Sequence, residues 1–382
     1  LAVVLQKENQ CPEAESLLRE SLSLMRKESI GDVSARATVL FNLASVLNQE
    51  NKLADSENCI RECVAMRRRI IRPDHPSFEQ ALEGLGLVLQ KEHKWDEAES
   101  ICVELIRIRR KMFATDDPRV LGIFGVLDDM YALQHKDTEA AQAFNEMLAG
   151  AGNDSNQAGK VWQKRCDYLA RRTQLKEALD AAAQVLAILP DDHTGYHLQA
   201  PLLVETGNLS GYEELCGKIT ARFRGATDPF RADQMAKDCL ILPHSGADLK
   251  VAAQLADTAV TAGQGAAPFH FFECSKALAE YRQGYWDGAV DWARRAAADA
   301  FPYSQAEACA ILAMAQYRLK RFDEARAALA QCADIIKDKM PQLEQGDLGR
   351  DWRDWIIAHT LLAEAKSLIE SANNSVLKSA EK

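Results

Sequence analysis

The chain repeats itself every 42 residues, and that period restricts it to a stack of like units. Leu1, Leu43, Leu85 and Leu127 stand in register, followed four residues on by Leu5, Leu47, Leu89 and Tyr131. A small residue preceded by an acid comes next in each copy: Ala14 after Glu13, Ser56 after Asp55, Ala98 after Glu97, Ala140 after Glu139. Leu18, Ile60, Cys102 and Phe144 follow, then Leu22, Val64, Ile106 and Leu148. Apolar residues spaced by four are the buried stripe of an amphipathic helix, so each copy carries two helices. One helix pair cannot cover its own apolar face, and successive copies must therefore stack.

The small residue of each copy suits a helix crossing, because a longer side chain would push the two helices apart. Between copies stand RPDHP (72–76) and TDDP (115–118), whose Pro76 and Pro118 can open the next helix where a missing N–H costs nothing. With these turns, ATVLFNLASVLNQENKLADSE (37–57) and ALEGLGLVLQKEHKWDEAE (81–99) resemble the tetratricopeptide family. Their long form is similar to the repeats of kinesin light chains. The resemblance implies an all-α fold, an α-solenoid coiled as a right-handed superhelix, in which the first helix of each pair lines the concave face and meets a partner peptide or protein.

On this reading residues 1–148 form four 42-residue repeats. Leu1 aligns with residues in the middle of a first helix, so the chain is expected to open partway through a repeat. Residues 149–158, rich in Gly, Asn, Asp and Ser, are expected to be a linker. From 159 to 340 the period shortens to roughly 34 residues, with Ala178 at a crossing and Pro190 in a turn. Tyr212 stands where a small residue belongs, and Pro201 is expected to kink its helix. In 341–382, DWRDWIIAHTLLAEAKSLIE (351–370) reads as a capping helix with Trp352, Trp355, Ile356, His359 and Leu362 on one face. RADQMAKDCLILP (231–243), YRQGYWDGAVDWARRA (281–296) and GDLGRDWRDWIIAHTLLAEA (346–365) resemble the C-terminal repeat regions of large bacterial serine/threonine protein kinases. That likeness implies a kinase outside this chain, since no Gly-rich phosphate loop, HRD or DFG is present here.

Composition narrows the function further. A net charge of −10 argues against nucleic acid, whose phosphates call for a basic surface. No apolar run approaches the length of a membrane span, so no membrane insertion is expected and the chain reads as cytoplasmic. Ten cysteines include no CxxC and are expected to be reduced, buried thiols, Cys59 and Cys63 among them. His193 and His197 could share a helix face but lack a third ligand, and no metal or other cofactor is expected. GNDSNQAGK (152–160) has the wrong glycine spacing for a phosphate loop. No nucleophile, base and orienting group can be assembled, so the chain is not read as an enzyme. Arg67, Arg68 and Arg69, with Arg107, Arg109, Arg110 and Lys111, are read as cations at the ends of second helices, or else as a basic docking ridge for an acidic partner.

What remains is binding. First-helix positions not needed for packing are Thr38, Phe41, Asn42, Ser45, Asn48 and Gln49 in the second copy and Gln80, Glu83, Leu87 and Lys91 in the third. Phe41 is the candidate anchor, or else it packs on a neighbouring repeat. Lys160, Lys164, Arg171 and Arg172 form a basic stretch suited to an acidic peptide or to water. The function expected is a protein-interaction scaffold in a larger bacterial signalling protein. The alternative is a ligand-sensing domain that regulates a linked catalytic domain.

Overall fold

A turn with one left-handed residue joins the two helices of every copy in the first part of the chain. Asn9, Asn51, His93 and His135 have φ of 60°, 61°, 58° and 54°. The next residue's N–H then reaches back five positions: Gln10 to Leu5, Lys52 to Leu47, Lys94 to Leu89 and Lys136 to Tyr131, at 2.8–3.0 Å. This is the Schellman closure, which satisfies carbonyls that a helix end leaves unpaired.

The computed structural model describes residues 2–27, 33–266, 269–298, 301–341 and 347–380. Leu1, the first of the aligned leucines, lies outside them. Among the described residues all regular structure is helical, and contacts divide the chain into two compact units, Leu1–Ala151 and Gly152–Lys382. In unit 1 the pairs are α1 (Ala2–Lys7) with α2 (Cys11–Lys27), α3 (Val33–Gln49) with α4 (Leu53–Ile70), α5 (Pro76–Lys91) with α6 (Trp95–Arg109), and α7 (Pro118–Gln134) with α8 (Asp137–Ala151). In unit 2 they are α9 (Ser155–Arg171) with α10 (Leu175–Ile188), α11 (His193–Glu205) with α12 (Leu209–Phe223), α13 (Pro229–Leu240) with α14 (Leu249–Ala262), α15 (Phe269–Gln283) with α16 (Trp286–Ala296), and α17 (Pro302–Arg318) with α18 (Phe322–Lys339). The helix α19 (Trp352–Ala380) follows.

The sequence pattern maps onto this packing. Ala14, Ser56, Ala98 and Ala140 are at most 1% exposed, and Ser56 donates its hydroxyl to the Ala44 carbonyl at 2.7 Å. Pro76 and Pro118 open α5 and α7, behind His75 and Asp117 as N-caps.

Other expectations need correction. The linker shrinks to 152–154, because α8 continues to Ala151 and Asp154 caps α9 by accepting from the N–H of Asn156 and Gln157 at 2.9 and 3.1 Å. One good capping residue outweighs the low helix propensity of the stretch after it. Tyr212 is fully buried and donates its hydroxyl to the Asp238 carbonyl at 2.7 Å, so the bulky residue at the crossing ties α12 to the end of α13. On α19 His359 is exposed, whereas Ile357, Ala358 and Leu361 are buried with the tryptophans. α19 buries more than a single stripe because it meets more than the last pair.

Candidate functional site

The groove positions on α3 and α5 come together. Phe41, Ser45, Asn48, Gln80, Glu83 and Leu87 line one cavity of about 410 Å³ in unit 1. Leu87 is 47% exposed at its edge. Phe41 is half-buried and also packs on the next copy, since a methyl group at Gly84 would stand 3.6 Å from its ring. The Arg67 guanidinium lies 5.1 Å from the Phe41 ring centroid and donates to the Ser77 carbonyl. The arrangement recurs one period on: Arg109 donates to the Arg119 carbonyl at 2.7 Å and pairs with Glu83, which occupies the position of Phe41, and with Glu79 at 3.0 Å. Arg67 and Arg109 are therefore buried clasps that hold the first turn of the following repeat, not merely cations at helix ends.

The polar candidates are engaged between copies. Ser45 accepts from Gln6 Nε2 at 2.9 Å, Gln49 donates to Asn9 Oδ1 at 3.2 Å, and Lys91 donates to Asn48 Oδ1 at 2.8 Å. Asn42 is half-buried on α3 and does not line the cavity. In unit 2 Lys160 is exposed and Lys164 half-buried on α9. Arg171 is a correction: it pairs with Asp347 through both Nε and Nη2, and its carbonyl accepts the Leu348 N–H at 3.0 Å. It pins the chain entering α19 and has little surface left for a peptide, being 14% exposed.

Comparison with known proteins decides what these pairs are. Tetratricopeptide-repeat models match residues 36–77 and 306–339, one segment in each unit. Each unit thus carries a tetratricopeptide repeat. Solved structures similar to it include the nearly identical TPR-like repeats of a Podosopora anserina protein described as a kinesin light chain, at 20% identity, covering 49% of this chain and 91% of that one with a TM-score of 0.39. Another is BtubC (BKLC) from P. vanneervenii, at 13% identity, 65% and 94% coverage and a TM-score of 0.36. No curated protein matches the sequence.

In unit 2 the face formed by the first helices of the pairs is covered by the chain itself. Trp352 Nε1 and Arg353 donate to Asp167 of α9 at 3.1 and 2.7 Å. Lys237 of α13 stands 3.9 Å from Asp354, and Arg282 of α15 pairs with Glu364. The start of α19 joins a core with Cys166, Ala170 and Leu198, and its later turns join the larger core of α11 to α18. Beneath it lies a buried polar cluster, where Lys237 pairs with Glu307 at 3.1 Å and the Cys274 thiol donates to Glu307 at 3.4 Å. Burial pushes the Glu307 carboxyl up to about 7 and that of Asp233 up to about 6.

The decoy motifs find structural partners. His197 bonds Asp238 at 3.0 Å and His193 lies 3.4 Å from Asp192, so the two imidazoles have separate partners. Burial pushes the Cys63 thiol up to about 11 and that of Cys102 up to about 12, which keeps them protonated. Sequence reasoning overlooked the charges that join second helices across copies. Arg19 pairs with Asp55 and Arg61 with Glu97; Arg26 pairs with Glu62 and Arg68 with Glu104, each 36 residues apart. The signal was present, because these residues also recur every 42 positions. The acids Asp55 and Glu97 are conspicuous in the repeat, but their pairing with Arg19 and Arg61 of the preceding copy is not.

Proposed function

We propose that this protein is an interaction scaffold whose first-helix face in unit 1 holds a segment of a partner protein. The observation that carries the reading is the α3–α5 cavity, where an exposed leucine, Leu87, and the edge of Phe41 sit beside the polar groups of Ser45, Asn48 and Gln80. An apolar side chain of the partner would enter between Phe41 and Leu87, and its backbone would bond the neighbouring amides and hydroxyl. Asn42, Gln49, Glu83 and Lys91 then border the site, and Lys160 with Lys164 offers a secondary basic contact. Linkage to a bacterial serine/threonine kinase and a cytoplasmic location belong to the same reading, which assigns binding and no catalysis to this chain. No helix among the described residues is long and apolar enough to cross a membrane.

A photoreactive phenylalanine analogue placed at Leu87 tests the proposal, with the same analogue at exposed Asp180 on α10 as control. The expected result is a discrete partner adduct from position 87 that disappears on Phe41→Ala and is absent from position 180. Phe41 is half-buried, so Phe41→Ala should cost less than the ~3–5 kcal/mol of a fully buried phenylalanine, and the array should remain folded. Equal labelling from both positions, or an adduct indifferent to Phe41→Ala, would refute the site. A regulatory sensor is the second reading, favoured by the self-covered first-helix face of unit 2, since release of α19 would expose a surface that is now buried.

A further inference from the structure

Unit 1 builds one guanidinium site twice and then replaces its arginine. In the first interface Arg19 Nε donates to Glu15 Oε1 at 2.7 Å and Nη2 to Asp55 at 3.0 Å, while Lys52 takes Glu15 Oε2 at 2.6 Å. One period later Arg61 Nε donates to Glu57 Oε1 at 2.8 Å and Nη2 to Glu97 at 2.5 Å, while Lys94 takes Glu57 Oε2 at 2.6 Å. The third interface keeps both acids, Glu99 and Glu139, and the lysine, with Lys136 on Glu99 Oε2 at 2.9 Å. At the arginine's position stands Val103, 37% exposed. Among the described residues it is the Tyr131 hydroxyl that approaches Glu99 Oε1, at 3.4 Å, near the limit of a hydrogen bond.

The same interface contains a cavity of about 500 Å³ between α6, α7 and α8, larger than one arginine side chain needs. Glu99 and Glu139 line its end near the start of α6, and Ile106, Phe124, Leu127 and Met147 supply apolar wall. Arg107, Arg110 and Lys111 line the end near the α6 terminus. The second rung is altered too. Arg110 and Glu146 occupy the positions of Arg68 and Glu104, but the Arg110 guanidinium lies over the Gly150 backbone, where even a methyl group would collide with it, and Glu146 accepts from Gln142.

We propose that the cavity between α6, α7 and α8 binds an arginine of a partner segment, whose guanidinium takes the place between Glu99 and Glu139 that Arg19 and Arg61 fill in the preceding interfaces. A guanidinium suits the two acids better than an ammonium because its fork addresses both carboxylates from one plane. An apolar side chain after the arginine meets the apolar wall, and the basic end favours a carboxylate beyond it. This surface is separate from the α3–α5 cavity and does not depend on it.

The test uses the full chain and two peptides, acetyl-Arg-Leu-Leu-Asp-amide and its citrulline analogue, which keeps the shape and removes the charge. Titration calorimetry should show saturable binding of the first, weakened about tenfold or more in the second. Val103→Arg should abolish binding, because the protein's own guanidinium would occupy the site. That variant should melt no lower than the parent, which separates lost binding from lost folding. Glu139→Gln should weaken the arginine peptide about threefold or more, and Phe41→Ala should leave it unchanged. Equal affinity for the citrulline peptide, undiminished binding by Val103→Arg, a lowered melting temperature in that variant, or no saturable binding at about 10 mM peptide would each overturn the proposal.

Discussion

Thr173 occupies, with φ of 57°, the left-handed turn position that asparagine fills at Asn9 and Asn51 and glycine at Gly207 and Gly284. A β-branched side chain is poorly suited to that region, and the cost is on the order of 1 kcal/mol. Thr173→Gly should therefore stabilise unit 2 by up to about 1 kcal/mol, less whatever the more flexible unfolded chain takes back. Urea unfolding of parent and variant measures it, and a lowered midpoint would mean that the Thr173 hydroxyl, which donates to the Arg172 carbonyl at 2.7 Å, matters more than the backbone strain. The same scale shows what composition hides. Asn9 and Asn51 look like ordinary loop residues in the sequence, and His93 and His135 give no turn signal at all. Only their shared spacing of 42 marks them as one structural position.

Helix α19 was legible as an amphipathic helix from its tryptophans, but its docking was not, because that depends on Asp167, Lys237 and Arg282, which lie far away in sequence and carry no common pattern. The polar cluster under it gives a pH dependence whose sign is unusual. Asp233 Oδ1 and Glu307 Oε1 are buried and accept no hydrogen bond among the described residues, so the folded state holds their protons more tightly than the unfolded chain does. Lys237 offsets part of this: burial opposes its charge, but Glu307 and Asp233 outweigh that and hold it protonated. A carboxyl raised on folding contributes stability that is complete below its unfolded value and lost as pH rises through its folded one. Between about pH 4.5 and 7.5 unit 2 should accordingly lose stability on the order of 2 kcal/mol from this cluster. Thermal melts of parent and Glu307→Gln across that range provide the check. The parent's melting temperature should fall with rising pH and the variant's should fall less; identical profiles would show that water or Lys237 already compensates the charge.

Across the whole chain, the sequence made plain what repeats and left obscure what happens once. The four long copies, the crossing residues Ala14, Ser56, Ala98 and Ala140, and the helix-opening Pro76 and Pro118 are all local or periodic, and each could be found without coordinates. The α3–α5 cavity was partly legible, since positions unused for packing must face elsewhere, yet the bonds from Gln6 to Ser45 and Lys91 to Asn48 needed three-dimensional spacing. Ion pairs between successive second helices have one further consequence. Every partner sits at a fixed offset, so this part of the gene has a reading frame of whole copies. Deleting residues 52–93 would join Asn51 to Lys94, bring Lys94 to Glu15, and set Arg19 against Glu97 and Arg26 against Glu104, each of the kind it had before. The shortened chain has one interface fewer but no mismatched one, so it should fold, and circular dichroism should show its helicity per residue unchanged. Removing one residue fewer should misalign the pairs of Glu15, Arg19 and Arg26 that span the junction and lower the melting temperature markedly. Such an array can be lengthened or shortened by recombination between its own copies without a new interface having to be invented.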